Sequence, residues 1–141
     1  MKPFPGKLLC SILLTAAIGC DPGVELLSKV TGKVTFRGMP VGTGSIVFTP
    51  DASRGASGPQ ARADIQTDGT YSLRTGDRLG APPGWYRVTI ASVESVPQAG
   101  PGQLIQVPRS LLPEKYRDPQ LSGLVREVKA LDENKIAFDL D

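Results

Sequence analysis

The chain has 141 residues, 40% of them hydrophobic, which suits one domain with a single core and a short extension. Its 16 basic and 14 acidic residues balance once Lys2 and Lys7, which belong to a predicted leader, are set aside (16 − 2 = 14 basic). Because no dense run of Lys and Arg is available to neutralise phosphates, we exclude nucleic acid as a partner.

Residues 1–20 have the pattern of an export signal. Lys2 and Lys7 give a positively charged start, residues 8–18 are apolar, and small residues surround the end of this segment. The apolar region is too short for a membrane-spanning helix, which takes roughly 20 residues. The pattern therefore predicts export rather than a stable membrane span.

The end of this leader, Ile18-Gly19-Cys20, resembles a bacterial lipoprotein signal, in which a small residue precedes an acylated cysteine. The resemblance implies that Cys20 is lipidated and anchors the exported protein to the cell membrane or outer envelope. The alternative is an ordinary signal peptide, which would leave Cys20 as a single thiol because Cys10 lies in the leader. Residues 21–29 are then a tether, and residues 30–141 are the domain.

Short β-strands are predicted from residue 30 onward, because apolar and polar residues alternate between turn residues. The predicted strands are residues 30–37, 45–49, 61–67, 70–73, 85–91, 124–128 and 136–140. Asp68-Gly69 favours a tight hairpin between two of them, since glycine accepts positive φ at little cost. Arg126 lies on the same predicted face as Leu124 and Val128, which indicates an edge strand.

Two regions lack this alternation. Residues 94–109 are rich in Pro, Gly and Gln and are predicted to be a long irregular loop, with 104–107 as a short edge strand. Residues 111–118 are predicted to be a packed irregular segment or one helical turn. About seven short strands predict an all-β protein, an antiparallel β-sandwich with Greek-key-like connections.

Several short motifs resemble those of carboxypeptidase-regulatory-like domains, which share a transthyretin-like (prealbumin-like) sandwich. They are residues 30–41 (VTGKVTFRGMPV) with 46–50 (IVFTP), the hairpin residues Thr67, Asp68, Gly69 and Tyr71, the strand entry Pro83, Gly84, Tyr86 and Val88, and the tail segments 112–116, 122–124 and 136–140. The resemblance implies a transthyretin-like or Ig-like fold in a small bacterial lipoprotein. Because each motif is structural, it implies a fold more firmly than a function.

The chain contains no histidine, which excludes Ser-His-Asp triads, Cys-His nucleophiles and histidine metal sites. A related transthyretin-fold hydrolase of purine catabolism uses histidines and a terminal Tyr-Arg-Gly-Ser motif. Here Tyr116-Arg117 is followed by Asp118, so we do not expect that activity. We predict no enzymatic activity and no cofactor.

Residues 132–134 (Asp-Glu-Asn) carry oxygen ligands of the kind that calcium prefers. Their spacing does not match the twelve-residue loop of an EF-hand. A solvated turn before the last strand is the preferred interpretation, so we predict no metal site.

Trp85 is the strongest candidate for ligand binding. It alternates with Tyr86, so an inward Tyr86 places Trp85 on the outer face. Together with Tyr71 or Tyr116 it could form a platform on which a sugar or a protein partner stacks. The preferred interpretation is a tryptophan half-covered by residues 98–107.

These observations predict a non-catalytic, lipid-anchored module of the cell envelope with a structural or protein-interaction role. Its expected partners are the membrane, through the anchor, and an envelope protein or glycan. The alternative function is a carbohydrate-binding module that uses Trp85 and the two tyrosines.

Overall fold

The computed structural model describes residues 25–141, which form an all-β sandwich. The predicted leader with Cys20 and the first part of the predicted tether, residues 21–24, lie outside the described residues. Within residues 25–141, no helix is long and apolar enough to cross a membrane.

The strands of the described range are mostly short. In chain order they are β1 (Val30–Phe36), β2 (Met39–Pro40), β3 (Ser45–Pro50), β4 (Ala61–Asp64), β5 (Thr70–Ser72), β6 (Arg74–Thr75), β7 (Arg78–Leu79), β8 (Gly84–Ala91), β9 (Val93–Gly100), β10 (Gln103–Ser110), β11 (Val125–Val128), β12 (Asn134–Lys135) and β13 (Phe138–Leu140). Two single-turn 3-10 helices, Ala52–Arg54 and Glu114–Arg117, complete the structure.

The first sheet is organised around β1, which has neighbours on both sides. Its first half pairs with β12 and β5, and its second half pairs with β13 and β2. β12 and β13 run parallel to β1, whereas β2 and β5 run antiparallel to it. The predicted closing strand, residues 136–140, is thus a strand only over Phe138–Leu140. β12, at the predicted turn, and β13 follow each other along the same edge of β1, since both pairings have the same register.

The second sheet has the order β11-β8-β3-β4-β6-β7, and all its pairs are antiparallel. Its central pair, β3 and β8, places Ile46 opposite Ile90 and Phe48 opposite Val88. All four side chains are fully buried, so the period-two alternation of these strands arises because one face of each strand packs against the core.

The core between the sheets is centred on Phe48. Its ring lies 5.8 Å from that of Tyr86, 6.1 Å from Phe138 and 6.4 Å from Tyr71, measured between ring centroids. The tilted and edge-on geometries are those that aromatic pairs prefer. The four rings join the two sheets, because Phe48 and Tyr86 belong to the second sheet and the other two to the first.

Gly32 explains the Val-Thr-Gly-Lys-Val pattern of β1. A Cβ atom at this position would lie 1.7 Å from the carbonyl oxygen of Ile136 and 2.8 Å from the Tyr71 ring. Both groups belong to one contact, since the Tyr71 hydroxyl donates a 2.6 Å hydrogen bond to that same oxygen. Only a residue without a side chain fits here.

The predicted hairpin at Asp68-Gly69 is correct as a turn and wrong as a strand pairing. Gly69 has φ +84°, and its N–H donates to the carbonyl of Gln66. However, β4 before the turn belongs to the second sheet, and β5 after it belongs to the first. The turn docks on β1 through Val34, whose N–H donates to the Gly69 carbonyl, so the chain crosses between sheets here.

The prediction of an irregular loop over residues 94–109 is wrong. β9 and β10 form a regular antiparallel ribbon, paired from Val93↔Ser110 to Gly100↔Gln103 around a Pro101-Gly102 turn. Neither strand joins either sheet of the sandwich. Because the ribbon buries no face, its sequence lacks the alternation by which half-buried strands are identified.

Two other predictions are confirmed. β11 is an edge strand of the second sheet. The Arg126 guanidinium lies 4.8 Å from the centre of the Phe138 ring, so a cation–π contact stabilises this charged side chain on the inward face. Residues 111–118 contain the single turn Glu114–Arg117. The structure also places Ser28, from the predicted tether, in a buried antiparallel bridge with Ala81.

Candidate functional site

The structure separates the three aromatic residues that the sequence analysis selected as ligand-binding candidates. Tyr71 and Tyr116 are both 3% exposed and belong to the core. The Tyr71 hydroxyl is bonded to Ile136, and that of Tyr116 donates to the Asp141 backbone carbonyl at 3.0 Å. The rings of the two tyrosines are therefore not accessible to a ligand. Burial also raises the pKa of the Tyr71 hydroxyl.

Trp85 is half-buried on the outer face of β8. The residue that covers it is Arg54, whose guanidinium lies 4.4 Å from the centre of the indole ring. Residues 98–107, which were predicted to cover it, belong instead to the ribbon. The sequence-predicted platform is thus reduced to one indole ring already stacked with a cation.

Arg54 belongs to a small polar cluster around Asp51, a carboxylate that is only 3% exposed. Ser53 donates two hydrogen bonds to Asp51 Oδ1, from its hydroxyl at 2.6 Å and its N–H at 3.1 Å. Arg87 Nε lies 3.1 Å from the same oxygen and Arg54 Nε lies 3.7 Å from Oδ2.

These contacts hold the pKa of Asp51 below its usual value, chiefly through the Ser53 hydroxyl and also through Arg87. The Asp51 N–H in turn donates to the Trp85 carbonyl, which ties the 3-10 turn to β8. The buried Asp51 carboxylate is hydrogen-bonded by Ser53 and paired with Arg87 inside the protein, so we assign the cluster a structural role.

The turn at residues 132–134 is likewise explained by its own hydrogen bonds. Asn134 is buried, accepts a hydrogen bond from the Lys129 N–H at 2.8 Å, and donates to the carbonyls of Lys129 and Asp132. Glu133 forms a 2.9 Å ion pair with Lys29. Glu133 and Asn134 therefore hold the loop against the start of β1, whereas the Asp132 carboxylate accepts a hydrogen bond from the Glu133 N–H within the turn.

The β9–β10 ribbon is the surface with the clearest exposed apolar character. Residues directly opposite each other in an antiparallel pair share a face. One face of the ribbon, here called the apolar face, carries five exposed residues: Val93, Pro97, Ala99, Leu104 and Pro108. Leu104 is 75% exposed, close to the value of a side chain in an unfolded chain.

The charge of the ribbon is confined to its base. Glu94 and Arg109 are cross-strand neighbours and form an ion pair there. Residues 95–108, which make up the rest of the ribbon, contain no charged side chain. Its polar side chains are Ser95 and three glutamines, Gln98, Gln103 and Gln106, so the outer part of the ribbon is neutral with exposed aliphatic groups.

Two prolines determine how the ribbon can be contacted. The Gly100↔Gln103 pair closes the two-residue turn, in which Gly102 has φ +80°. Counting outward from that pair, Pro97 and Pro108 fall at positions whose backbone N–H would point away from the partner strand. Each free edge thus lacks a donor near its middle, which disfavours the addition of a further strand.

Sequence reasoning missed this surface. The usable signal was Pro101-Gly102, a turn dipeptide centred between two uncharged segments of equal length. The prolines within those segments argue against central strands, yet they are tolerated where both edges are free.

Comparisons with known proteins identify no family for this chain. Neither the family models nor the curated proteins give a match to the chain. Among solved structures, a 9R-lipoxygenase from Cyanothece PCC8801 aligns with 82% of this chain at 13% identity and a TM-score of 0.34. The aligned part is 16% of the lipoxygenase chain, and a likeness this low assigns neither fold nor activity.

Proposed function

We propose that this protein is a non-catalytic, lipid-anchored module of the cell envelope whose β9–β10 ribbon binds a partner protein. The observation that carries the proposal is a regular ribbon, outside both sheets, with a neutral outer part and an exposed apolar face. The anchor is proposed from the leader and Cys20, and the carboxypeptidase-regulatory-like fold from the motifs of residues 30–140.

A protein partner suits the ribbon better than the bilayer does. Both edges of the ribbon leave backbone N–H and C=O groups unpaired, and in hydrocarbon each unpaired group costs several kcal/mol. A protein cleft can pair those groups or leave them in contact with water at its rim. The exposed aliphatic side chains can at the same time be buried in the cleft.

The partner is expected to enclose the ribbon rather than lie flat against it. Strands of eight residues are about 26 Å long, so two such ribbons face to face would bury on the order of 600 Å² in total. A stable interface buries at least about 1,200 Å². A second copy of the same ribbon is therefore too small a partner, and a cleft that contacts both faces is required.

Site-specific photo-crosslinking tests the proposal. A photoreactive amino acid is placed at Leu104, on the apolar face, and as a matched control at Leu131, which is 85% exposed but lies outside the ribbon. We expect a discrete protein adduct from position 104 in intact cells and none from position 131. Absence of an adduct at 104, or the same adduct from both positions, would contradict a ribbon-specific partner.

The anchor is tested separately. Mass spectrometry of the mature protein should show an acylated Cys20 as its first residue, and Cys20→Ser should move the protein from the membrane fraction to the soluble fraction. An unmodified Cys20 would show that the leader is an ordinary signal peptide. The outcome of the ribbon experiment does not depend on this result.

A further inference from the structure

The described residues also form an open groove of about 1020 Å³, which shares no lining residue with the ribbon. One wall is formed by β1, β5 and the segment after β12, and the other by β4 and the β6–β7 turn. Its side chains are unlike those of the core: Lys33, Arg62, Arg74 and Lys135 are basic, and Asp64 and Asp77 are acidic. All six are exposed.

Arg62 and Arg74 are directly opposite each other in the β4–β6 pairing. Directly opposed residues of this kind have Cβ atoms only about 5 Å apart, and like charges in this arrangement destabilise a sheet. Within residues 25–141 no carboxylate lies within 4 Å of either guanidinium, and Arg74 Nη2 donates only to the carbonyl of Asp77. The fold thus maintains two adjacent, uncompensated cations.

The opposite wall carries two further cations, Lys33 on β1 and Lys135 on β12. Neither is within 4 Å of a described carboxylate, but the pKa of Asp68 is lowered by the Thr70 hydroxyl and also by the charge of Lys33, and the pKa of Glu133 is lowered by Lys29 and also by the charge of Lys135. The groove lining holds four cations and two carboxylates, whereas the protein as a whole is close to neutral. An anionic ligand would relieve the repulsion between Arg62 and Arg74, since Arg forks bind carboxylate and phosphate bidentately.

The other groups that line the groove indicate which kind of molecule would carry the anionic group. Thr31 and Ser72 are directly opposite in the β1–β5 pairing, and neither hydroxyl has a hydrogen-bond partner among the described residues. Gln66 also lines the groove, and its side-chain Nε2 donates to the Asp64 carbonyl at 3.5 Å. The aromatic residue of the lining is Tyr71, which is 3% exposed with its hydroxyl hydrogen-bonded to the Ile136 carbonyl, so recognition in the groove depends on hydrogen bonds and charge rather than on stacking.

We propose that this groove binds an acidic glycan, with Arg62 and Arg74 holding one carboxylate or phosphate group between them. Free hydroxyls and the Gln66 amide can pair with sugar hydroxyls, and Asp64 and Asp77 can accept hydrogen bonds from them. This site is independent of the ribbon, and either proposal stands if the other fails.

Calorimetric titration of the full-length protein in detergent, at low ionic strength, tests the ligand class. The probes are oligogalacturonate, a phosphorylated mannan, neutral dextran and poly-glutamate. We expect saturable binding of one or both acidic glycans and none of dextran; which of the two binds identifies the anionic group. Binding to neither, or binding to poly-glutamate as tight as to the glycan, would overturn the proposal.

Matched charge variants test the location. Arg62→Gln/Arg74→Gln should weaken binding of the acidic glycan by about tenfold or more, the loss expected for a charge-assisted pair of hydrogen bonds. The control Arg37→Gln/Arg117→Gln removes the same charge from exposed positions outside the groove and should change affinity by less than about threefold. Equal losses in the two variants would mean non-specific attraction and would overturn the assignment of the groove. Circular dichroism confirms that each variant is folded.

Discussion

The sandwich and the ribbon are both antiparallel β-structure, yet they are held together in different ways. In the sandwich, the longer strands such as β3 and β8 turn one face to a core in which three aromatic rings surround Phe48. In the ribbon, β9 and β10 have each other and a Pro-Gly turn, and no residue of either strand is buried. Burial therefore imposes alternating apolar residues on the strands of the sandwich. The ribbon is held by backbone pairing and a tight turn, which do not require such a pattern.

The largest effect should come from the centre of the sandwich. Phe48→Ala removes the ring that contacts three others, and we expect it to lower the free energy of unfolding by about 3–5 kcal/mol. Leu104→Ala, an equally apolar truncation on the ribbon, should change it by less than about 0.5 kcal/mol. Urea unfolding measures both values, and similar losses would show that the ribbon packs on the core.

The next effect concerns Asp51. Because Ser53 and Arg87 keep the folded-state pKa of Asp51 below its unfolded value, the stabilisation is complete above that unfolded value and is lost as pH falls through the folded pKa. Asp51→Asn should therefore lower the melting temperature at neutral pH, on the order of 5 °C. The difference from wild type should be constant above about pH 5 and should shrink below about pH 4. A difference that is the same at pH 3 and pH 7 would contradict this account.

A smaller effect of opposite sign is expected at the groove. Arg62→Gln relieves the repulsion from Arg74 and should stabilise the domain by about 0.2–0.5 kcal/mol in the absence of ligand. High salt should reduce the gain, because it screens the same repulsion in the wild type. The measurement is thermal unfolding at two ionic strengths, and a destabilised variant would show that Arg62 is already compensated.

The smallest effect should follow removal of the ribbon itself. Residues 95–108 are replaced by a Gly-Ser turn, which leaves the closing hydrogen bond from the Leu111 N–H to the Ser92 carbonyl. We expect the melting temperature to stay within a few degrees of wild type and the crosslinked partner to be lost. A large fall in melting temperature would mean that the ribbon belongs structurally to the sandwich.

The contrast between the two regions also explains what the sequence can predict. Strands such as β3 and β8 are visible in the sequence because burial imposes alternation. Tyr71 alternates with Leu73 in the same way, which fits its buried position, yet it was selected as a ligand-binding candidate, and that prediction is wrong. The ribbon has no such constraint, so its composition resembles that of a loop. Long-range information was missing as well, since nothing local shows that β4 and β5 belong to different sheets.

The candidate sites follow the same rule. Trp85 could be placed on the outer face from Tyr86 alone, whereas its cover, Arg54, comes from a turn more than thirty positions earlier in the chain. The opposition of Arg62 and Arg74 depends on the register of β4 with β6, which a sequence pattern does not specify. The face on which a side chain lies could therefore be predicted within one strand. The contacts between side chains of different elements could not.

The parallel pairing of β1 with β12 and β13 has a consequence for the order in which the chain acquires structure. Thr35 and Asp139, neighbours in this pairing, are 104 residues apart. A ribosome makes the first strand of the sheet early and its two parallel neighbours last, so that sheet stays incomplete until synthesis of the domain is nearly finished. Under the export that we propose from the leader, this delay would leave the first sheet unformed during passage through the membrane and would complete the core only afterwards.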